Sequence, residues 1–316
     1  MFDDLLFSFN AVLPIFLVML LGYVVKRMKI IDASTTKQMN SLAFKVALPV
    51  MLFNTIYGTD YSQLIDRKFI LFLVISILVF FIVCWLFALK FIKDNKSRGS
   101  FIQGSFRGNY VILGVALSNE ILGFTPPLAM TGIIIVVLLF NVLSVIILTV
   151  YGEKKSDSGN AVMMIIKSIL TNPLIISIFT GIILTLLNIK LIPLLKTPVE
   201  MVSSLATPLA LLVIGASLDF MKIKERLKHT IIAGVLKLIV MPAVFIPLAI
   251  LIGISTQGVV VLFVLYAAPT AIVSYVMASH MGTDEHLASS IVIFTSMASV
   301  FTYTIGVYIL RVFSIV

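Results

Sequence analysis

The fold is decided by GSFIQGSFRGNYVILG, residues 99–114. The surrounding chain is strongly apolar, yet this stretch holds four glycines together with Gln103, Arg107 and Asn109. Glycine costs a helix about 1 kcal/mol relative to alanine. A cation at bilayer depth is costly as well. Broken backbone is tolerated inside a membrane only where it lines a cavity or is buried in protein. The stretch therefore predicts a helix that crosses in two halves. A second segment of the same kind is YAAPTA, residues 266–271. Its Pro269 removes a backbone donor and clashes with the preceding turn.

The two segments are related by position. Displacing the chain by 159 residues lays Asn109 on Ala268 and Tyr110 on Pro269. The same displacement lays Pro14 on Pro173, Gly22 on Gly181, Pro49 on Pro208, Gly99 on Gly258 and Gly123 on Gly282. The shift is close to half of the 316 residues, so the chain reads as two copies of one unit, residues 1–158 and 159–316. Secondary transporters are commonly built from such repeats, with the substrate held near the midplane by discontinuous helices.

Composition places both units in a bilayer. Hydrophobic residues make up 60% of the chain, charged residues 12%, and the mean hydropathy is +1.16. Soluble domains carry about a quarter charged residues. Ten apolar runs approach or exceed the roughly 20 residues a spanning helix needs. They are Leu5–Val25, Ser41–Tyr57, Phe69–Leu89, Phe101–Asn119, Pro127–Tyr151, Val162–Leu187, Val199–Phe220, Thr230–Ile252, Val259–Ser279 and His286–Arg311. Five runs per unit is an odd number, so the second unit enters reversed. The fold class expected is an all-α polytopic membrane protein. Its ten transmembrane helices form a 5+5 inverted repeat in which broken helices four and nine cross.

The net charge of +9 suggests nucleic acid in a soluble protein, but here it reads as topology. Fifteen Lys and Arg residues fall on one side of the ten runs and five on the other. The positive-inside rule makes the first side cytoplasmic and both termini extracytoplasmic. Asp3 and Asp4 agree. No cleavable signal peptide is expected, because the start lacks a basic region and the first run is long enough to span. Cys84 excludes an intrachain disulfide and is read as buried packing.

Three basic residues within the runs, Lys45, Arg107 and Lys237, are not readily claimed by the loops, whereas no Asp or Glu lies in the middle of any run. An ion exchanger wants carboxylates near the midplane; this chain offers cations, which suits an organic anion. Half-helix N-termini at a crossing add partial positive charge and free N–H groups. The expected substrate-binding set is Arg107, Asn109 and Gly114 from run four, Ala268, Pro269 and Thr270 from run nine, and Asn141 and Lys237. Asn109 is the sharpest of these, able to cap a half-helix or to donate to a carboxylate. Interhelical hydrogen bonding is the blander role for Asn141 and Asn54. Lys45 is also suited to snorkelling toward the interface. His280 and His286, with Asp284 and Glu285, read as a solvated loop, and the tract from Lys222 to Lys228 as a basic loop meeting lipid headgroups. No metal, nucleotide or hydrolase motif is present, and no cofactor is expected.

The stretch from Arg107 to Gly114 resembles the R-x-N-x-x-x-x-G segment of the auxin efflux carrier family, whose bacterial members include malonate- and malate-type permeases. Further matches are Phe44–Pro49, Asn172-Pro173 through Gly181, Thr207–Leu211 through Gly215–Leu218, and Lys237 through Pro242. The resemblance covers nearly the whole chain. It implies a five-plus-five inverted fold as in the plant PIN-formed carriers, related in architecture to bile-acid symporters and sodium/proton antiporters. It implies a scaffold of spans one, two, six and seven, a moving domain of spans three to five and eight to ten, and dimerisation through the scaffold. In such a fold Asn109 and Pro269 shape the substrate site. Family members often carry G-x-P after the span-four glycine; here Ala116 stands in the proline's place. The break then rests on Gly108, Gly114 and Asn109.

The expected function is a plasma-membrane secondary transporter of a small organic anion, a mono- or dicarboxylate or auxin-like acid. The alternatives are a sodium or proton exchanger, which wants midplane carboxylates, and a membrane-embedded sensor that binds a ligand without moving it. An intramembrane enzyme wants a convergent nucleophile, base or metal set, and the chain shows none.

Overall fold

The computed structural model describes residues 2–58, 66–110, 117–119, 121–124, 126–152, 161–313 and 315. Among them the chain is helical, with no strand beyond one isolated bridge. The helices are α1 (Phe2–Arg27), α2 (Ala33–Leu42), α3 (Leu48–Ile56), α4 (Arg67–Phe91), α5 (Asn95–Phe106), α6 (Pro127–Tyr151), α7 (Ala161–Thr171), α8 (Pro173–Leu186), α9 (Pro193–Ala216), α10 (Phe220–Glu225), α11 (Leu227–Val235), α12 (Met241–Ile252), α13 (Thr256–Ala267), α14 (Val273–Met281) and α15 (Glu285–Val312).

Polar residues at the edges of apolar runs start these helices. The side chains of Asp32, Asp66, Asp94, Asn172, Ser255 and Asp284 each accept a first-turn backbone N–H, the usual N-terminal cap. Asp32 moves the second helix start back to Ala33, ahead of the Ser41 expected. Pro193 opens α9 earlier than the Val199 expected, because proline's fixed φ suits a first turn. Two π turns, Ala43–Ala47 and Leu236–Val240, join α2 to α3 and α11 to α12. Each is followed two residues later by a proline, Pro49 or Pro242. A proline has no N–H to give the preceding turn, and the widened turn accommodates its ring.

Six helical rods among the described residues are long and apolar enough to cross a bilayer: Ala33–Ile56, Arg67–Phe91, Pro127–Tyr151, Pro193–Ala216, Leu227–Ile252 and Glu285–Val312. The sixth run bends by 60° between α7 and α8, at the Pro173 that interrupts it in the sequence. Asn172 ends one half and caps the next, and Pro173 occupies its first turn. Large apolar side chains such as Leu71, Ile75, Ile82 and Leu86 of α4 stay exposed, as a hydrocarbon solvent requires. By contrast, α13 from Gly258 to Ala267 and α5 from Gly99 to Phe106 are wholly buried.

Small residues set the closest helix approaches, as is usual in membranes. A Cβ on Gly22 of α1 would lie 2.2 Å from the Leu212 carbonyl oxygen of α9, and one on Gly215 would lie 1.8 Å from that of Met19. A Cβ on Gly181 of α8 would lie 3.2 Å from the Phe53 carbonyl oxygen of α3. The contacts Gly22–Leu212 and Gly181–Phe53 interchange under the 159-residue displacement. Helix α9 also packs on α3, and α5 packs on α4, α6, α11 and α15. Helix α14 touches α2, α6 and α9.

Candidate functional site

Helix α5 stops at Phe106 and α13 at Ala267. The extended residues that follow meet as an antiparallel bridge between Gly108 and Thr270. The Asn109 N–H donates to the Pro269 carbonyl at 2.7 Å, and the Ala271 N–H to the Arg107 carbonyl at 3.3 Å. Each break thus supplies hydrogen-bond partners that the other lacks. The crossing is tied further by Thr270. Its N–H donates to Thr295 Oγ1 at 3.0 Å, and its hydroxyl donates to the Gly104 carbonyl at 2.7 Å. Gly108 leaves no room for a side chain: a Cβ there would sit 3.1 Å from Lys237 Nζ and 3.3 Å from both the Ala268 Cβ and the Leu265 carbonyl oxygen.

Lys237 is fully buried and donates from Nζ to the Tyr266 carbonyl at 2.7 Å, with Met241 Sδ at 3.6 Å. It caps the open end of α13, where a cation matches the negative end of the helix dipole. The Tyr303 hydroxyl donates to the neighbouring Val264 carbonyl at 2.9 Å.

On the other side of the crossing lies a cavity of about 50 Å³. One wall is Arg107, Gly108, Asn109, residues of α6 including Phe140 and Asn141, and the Ala271–Val273 start of α14. The rest of the lining is Leu48, Met51 and Leu52 of α3 with Thr207 and Ala210 of α9. No Asp or Glu among the described residues lines it. Arg107 is 4% exposed. Its Nη1 donates to Ser144 Oγ at 3.2 Å and to Met277 Sδ at 2.8 Å, and its Nη2 to Asn141 Oδ1 at 3.1 Å. These acceptors are all neutral, and a guanidinium has five N–H donors to place. Asn141 is fixed in turn, its Nδ2 donating to the Val137 carbonyl at 2.7 Å. Asn109 is 8% exposed, and its side-chain amide has no hydrogen-bond partner among the described residues.

The crossing brings Arg107, Asn109 and Asn141 to one cavity. Pro269 contributes its carbonyl to the bridge, Ala268 packs beneath Gly108, and Thr270 serves as a tie. Lys237 lies at the crossing but off the cavity lining. Gly114 and Ala116 fall outside the described residues. The exposed Lys45 lies in a π turn away from the lining. Cys84 is buried. Sequence reasoning missed Met51 and Thr207 as cavity wall and Ser144 and Met277 as Arg107 partners. Thr207 precedes Pro208 in a quoted motif, but nothing local marks it as facing Arg107.

The stretch read as a solvated loop, His280 to His286, is ordered by buried contacts. Asp284 is 8% exposed, caps Leu287 N–H, and accepts from Arg226 Nε at 2.9 and 2.7 Å and from Ser97 Oγ at 2.8 Å. Arg226, read as a headgroup residue, therefore spends its charge within the protein. The His280 ring stacks on Phe44 with centroids 4.0 Å apart. These residues border a polar recess of about 720 Å³ that also holds Lys37 and Lys96. Among the described residues no group of His, Cys, Asp and Glu is placed to hold a metal ion.

The chain matches the Membrane transport protein family over residues 7–161 and 158–307. It is 26% identical over 308 residues to a Rhizobium meliloti (strain 1021) protein named "Putative malonate transporter", covering 96% of this chain and 95% of that one. It is 27% identical over 312 residues to an uncharacterized transporter of Methanocaldococcus jannaschii, covering 95% of this chain and 98% of that one. With its several bilayer-length apolar helices, the chain is a multi-pass membrane protein and a transporter rather than an enzyme. It belongs to the Membrane transport protein family, the auxin efflux carrier family that its span-four stretch resembles.

Proposed function

We propose that this protein is a secondary transporter that carries a small organic anion across the plasma membrane by alternating access. Arg107 is the observation that carries the reading. Its guanidinium is buried on a cavity wall, held by neutral acceptors and facing no carboxylate among the described residues. A buried, unpaired cation is unfavourable, and an incoming carboxylate relieves it. The name of the Rhizobium meliloti relative supports a carboxylate as cargo. The start of α14 on the cavity lining supports it too, because the positive end of a helix dipole favours an anion.

The architecture that goes with this function is a ten-span, five-plus-five inverted repeat, units 1–158 and 159–316. The interchange of Gly22–Leu212 with Gly181–Phe53 supports it. In this reading α1, α2–α3, α7–α8 and α9 form the scaffold, and the rest moves. The two cavity walls then belong to different bodies, so relative motion opens the cavity to either side. The basic side is cytoplasmic, both termini lie outside, and copies pair through the scaffold. Sodium or proton exchange fits less well, because the cavity lining lacks a carboxylate among the described residues.

Counterflow in proteoliposomes tests the proposal. Vesicles preloaded with one unlabelled carboxylate receive its labelled form outside. Transient accumulation that Asn109→Ala abolishes, with protein still inserted, is expected. Tight binding without flux would establish the sensor instead, and pH changes driven by ions without any organic acid would establish the exchanger.

A further inference from the structure

The same cavity narrows the cargo, and this step rests on the transporter reading just given. We infer that the cavity selects a short monocarboxylate, its carboxylate on Arg107 and Asn109 and its remainder, with one neutral polar substituent, against Met51 and Thr207.

Charge comes first. Arg107 is the one charged residue among the described residues lining the cavity. Lys237, the other buried cation at the crossing, lies off the lining and donates to the Tyr266 carbonyl. One carboxylate therefore meets one guanidinium, with the start of α14 on the same wall. A second carboxylate on the same molecule would be left among Leu48, Leu52, Val136, Val137 and Phe140. An ion held unpaired in such surroundings is strongly disfavoured.

Size agrees. The cavity measures about 50 Å³, and one water needs about 10–15 Å³ of such space. A cavity of that size favours a short acid over a long one.

Polarity then refines the tail. Among the described residues the Thr207 hydroxyl finds only the Met51 thioether, at 3.8 Å, and a thioether is a weak acceptor. The Asn109 amide has no partner among the described residues, although the residue is only 8% exposed. With Asn109 assigned to the carboxylate, the Thr207 hydroxyl is left for the tail and matches an acid that carries a hydroxyl or keto oxygen beside its carboxylate. Sites built to hydrogen-bond such a group discriminate against analogues that lack it.

The test uses the full chain in proteoliposomes at neutral pH, with labelled lactate, propionate, malonate and succinate in parallel counterflow. Lactate flux is expected to exceed malonate and succinate flux by at least ~10-fold, and to exceed propionate flux. Thr207→Val should lower the lactate-to-propionate ratio about tenfold, a quantity independent of how much protein inserts. Malonate or succinate flux equal to or above that of lactate overturns the inference and leaves the transporter intact. An unchanged ratio in Thr207→Val removes Thr207 from the selecting wall and overturns the inference as stated. Absence of flux for all four acids, with inserted protein, overturns this inference and counts against the organic-anion reading on which it rests.

Discussion

Arg107 and Lys237 are both buried cations at the crossing, yet their surroundings give them different work. Arg107 meets a thioether, a hydroxyl and an amide oxygen and keeps a face on the cavity. Arg107→Lys retains the charge but loses the planar fork that matches a carboxylate. Charge-assisted hydrogen bonds are worth roughly 1.5–3 kcal/mol, so the half-saturation concentration for uptake should rise by at least ~10-fold, read from initial rates at equal protein. Lys237 instead satisfies a helix-end carbonyl. Lys237→Met leaves that buried carbonyl without its donor, a loss of about 1–3 kcal/mol, and should lower the melting temperature in detergent. An unaltered melting temperature would show that the cap carries no stability. Arg107, Asn109 and Lys237 were legible in the sequence because a charge or amide stands out in an apolar run. Thr207 was not, because it meets Met51 and the crossing only through folding, and a threonine beside a proline is unremarkable in a helix.

At the scale of elements, the breaks in the fourth and ninth runs were legible from glycine and proline content. The stopping points were not, because a helix end depends on which partner receives its freed carbonyls. Here Thr270, Lys237 and Tyr303 receive them, and all three are distant in sequence from at least one end they serve. The 60° bend at Asn172–Pro173 falls where a proline interrupts the sixth run, the position at which a kink is expected. The α1–α9 seam carries a prediction of its own. Gly215→Ala would force a methyl group to within 1.8 Å of the Met19 carbonyl oxygen, where backbone cannot yield cheaply. Overpacking of this kind costs typically about 1–3 kcal/mol, so this variant should lose thermal stability and folded yield by size-exclusion profile. Wild-type behaviour would mean that the two helices approach less closely than described.

The whole molecule closes around contacts between α2–α3 and α9 on one side and α14 on the other. Phe44 stacks on His280, and the Tyr275 hydroxyl donates to Ser217 Oγ at 2.5 Å. In the proposed motion these contacts must separate on every cycle. The double variant Phe44→Cys/His280→Cys, bridged by a short bifunctional thiol reagent, should arrest flux, and a cleavable linker should restore it on reduction. Cys84, the natural cysteine, is buried, so the reagent reports on the engineered pair. Full flux in the bridged protein would rule out movement of α14 against α2. The proposed repeat rests on the spacing of glycines and prolines, whereas the contacts of α14 with α2 and α9 required packing.

Arg107 has a further consequence, electrical rather than chemical. An empty protein presents that positive charge to the membrane field, and a bound monoanion cancels it. A full charge moved across 100 mV is worth about 2.3 kcal/mol. Voltage should therefore act more strongly on the return of the empty protein than on the loaded step, which carries one positive charge fewer.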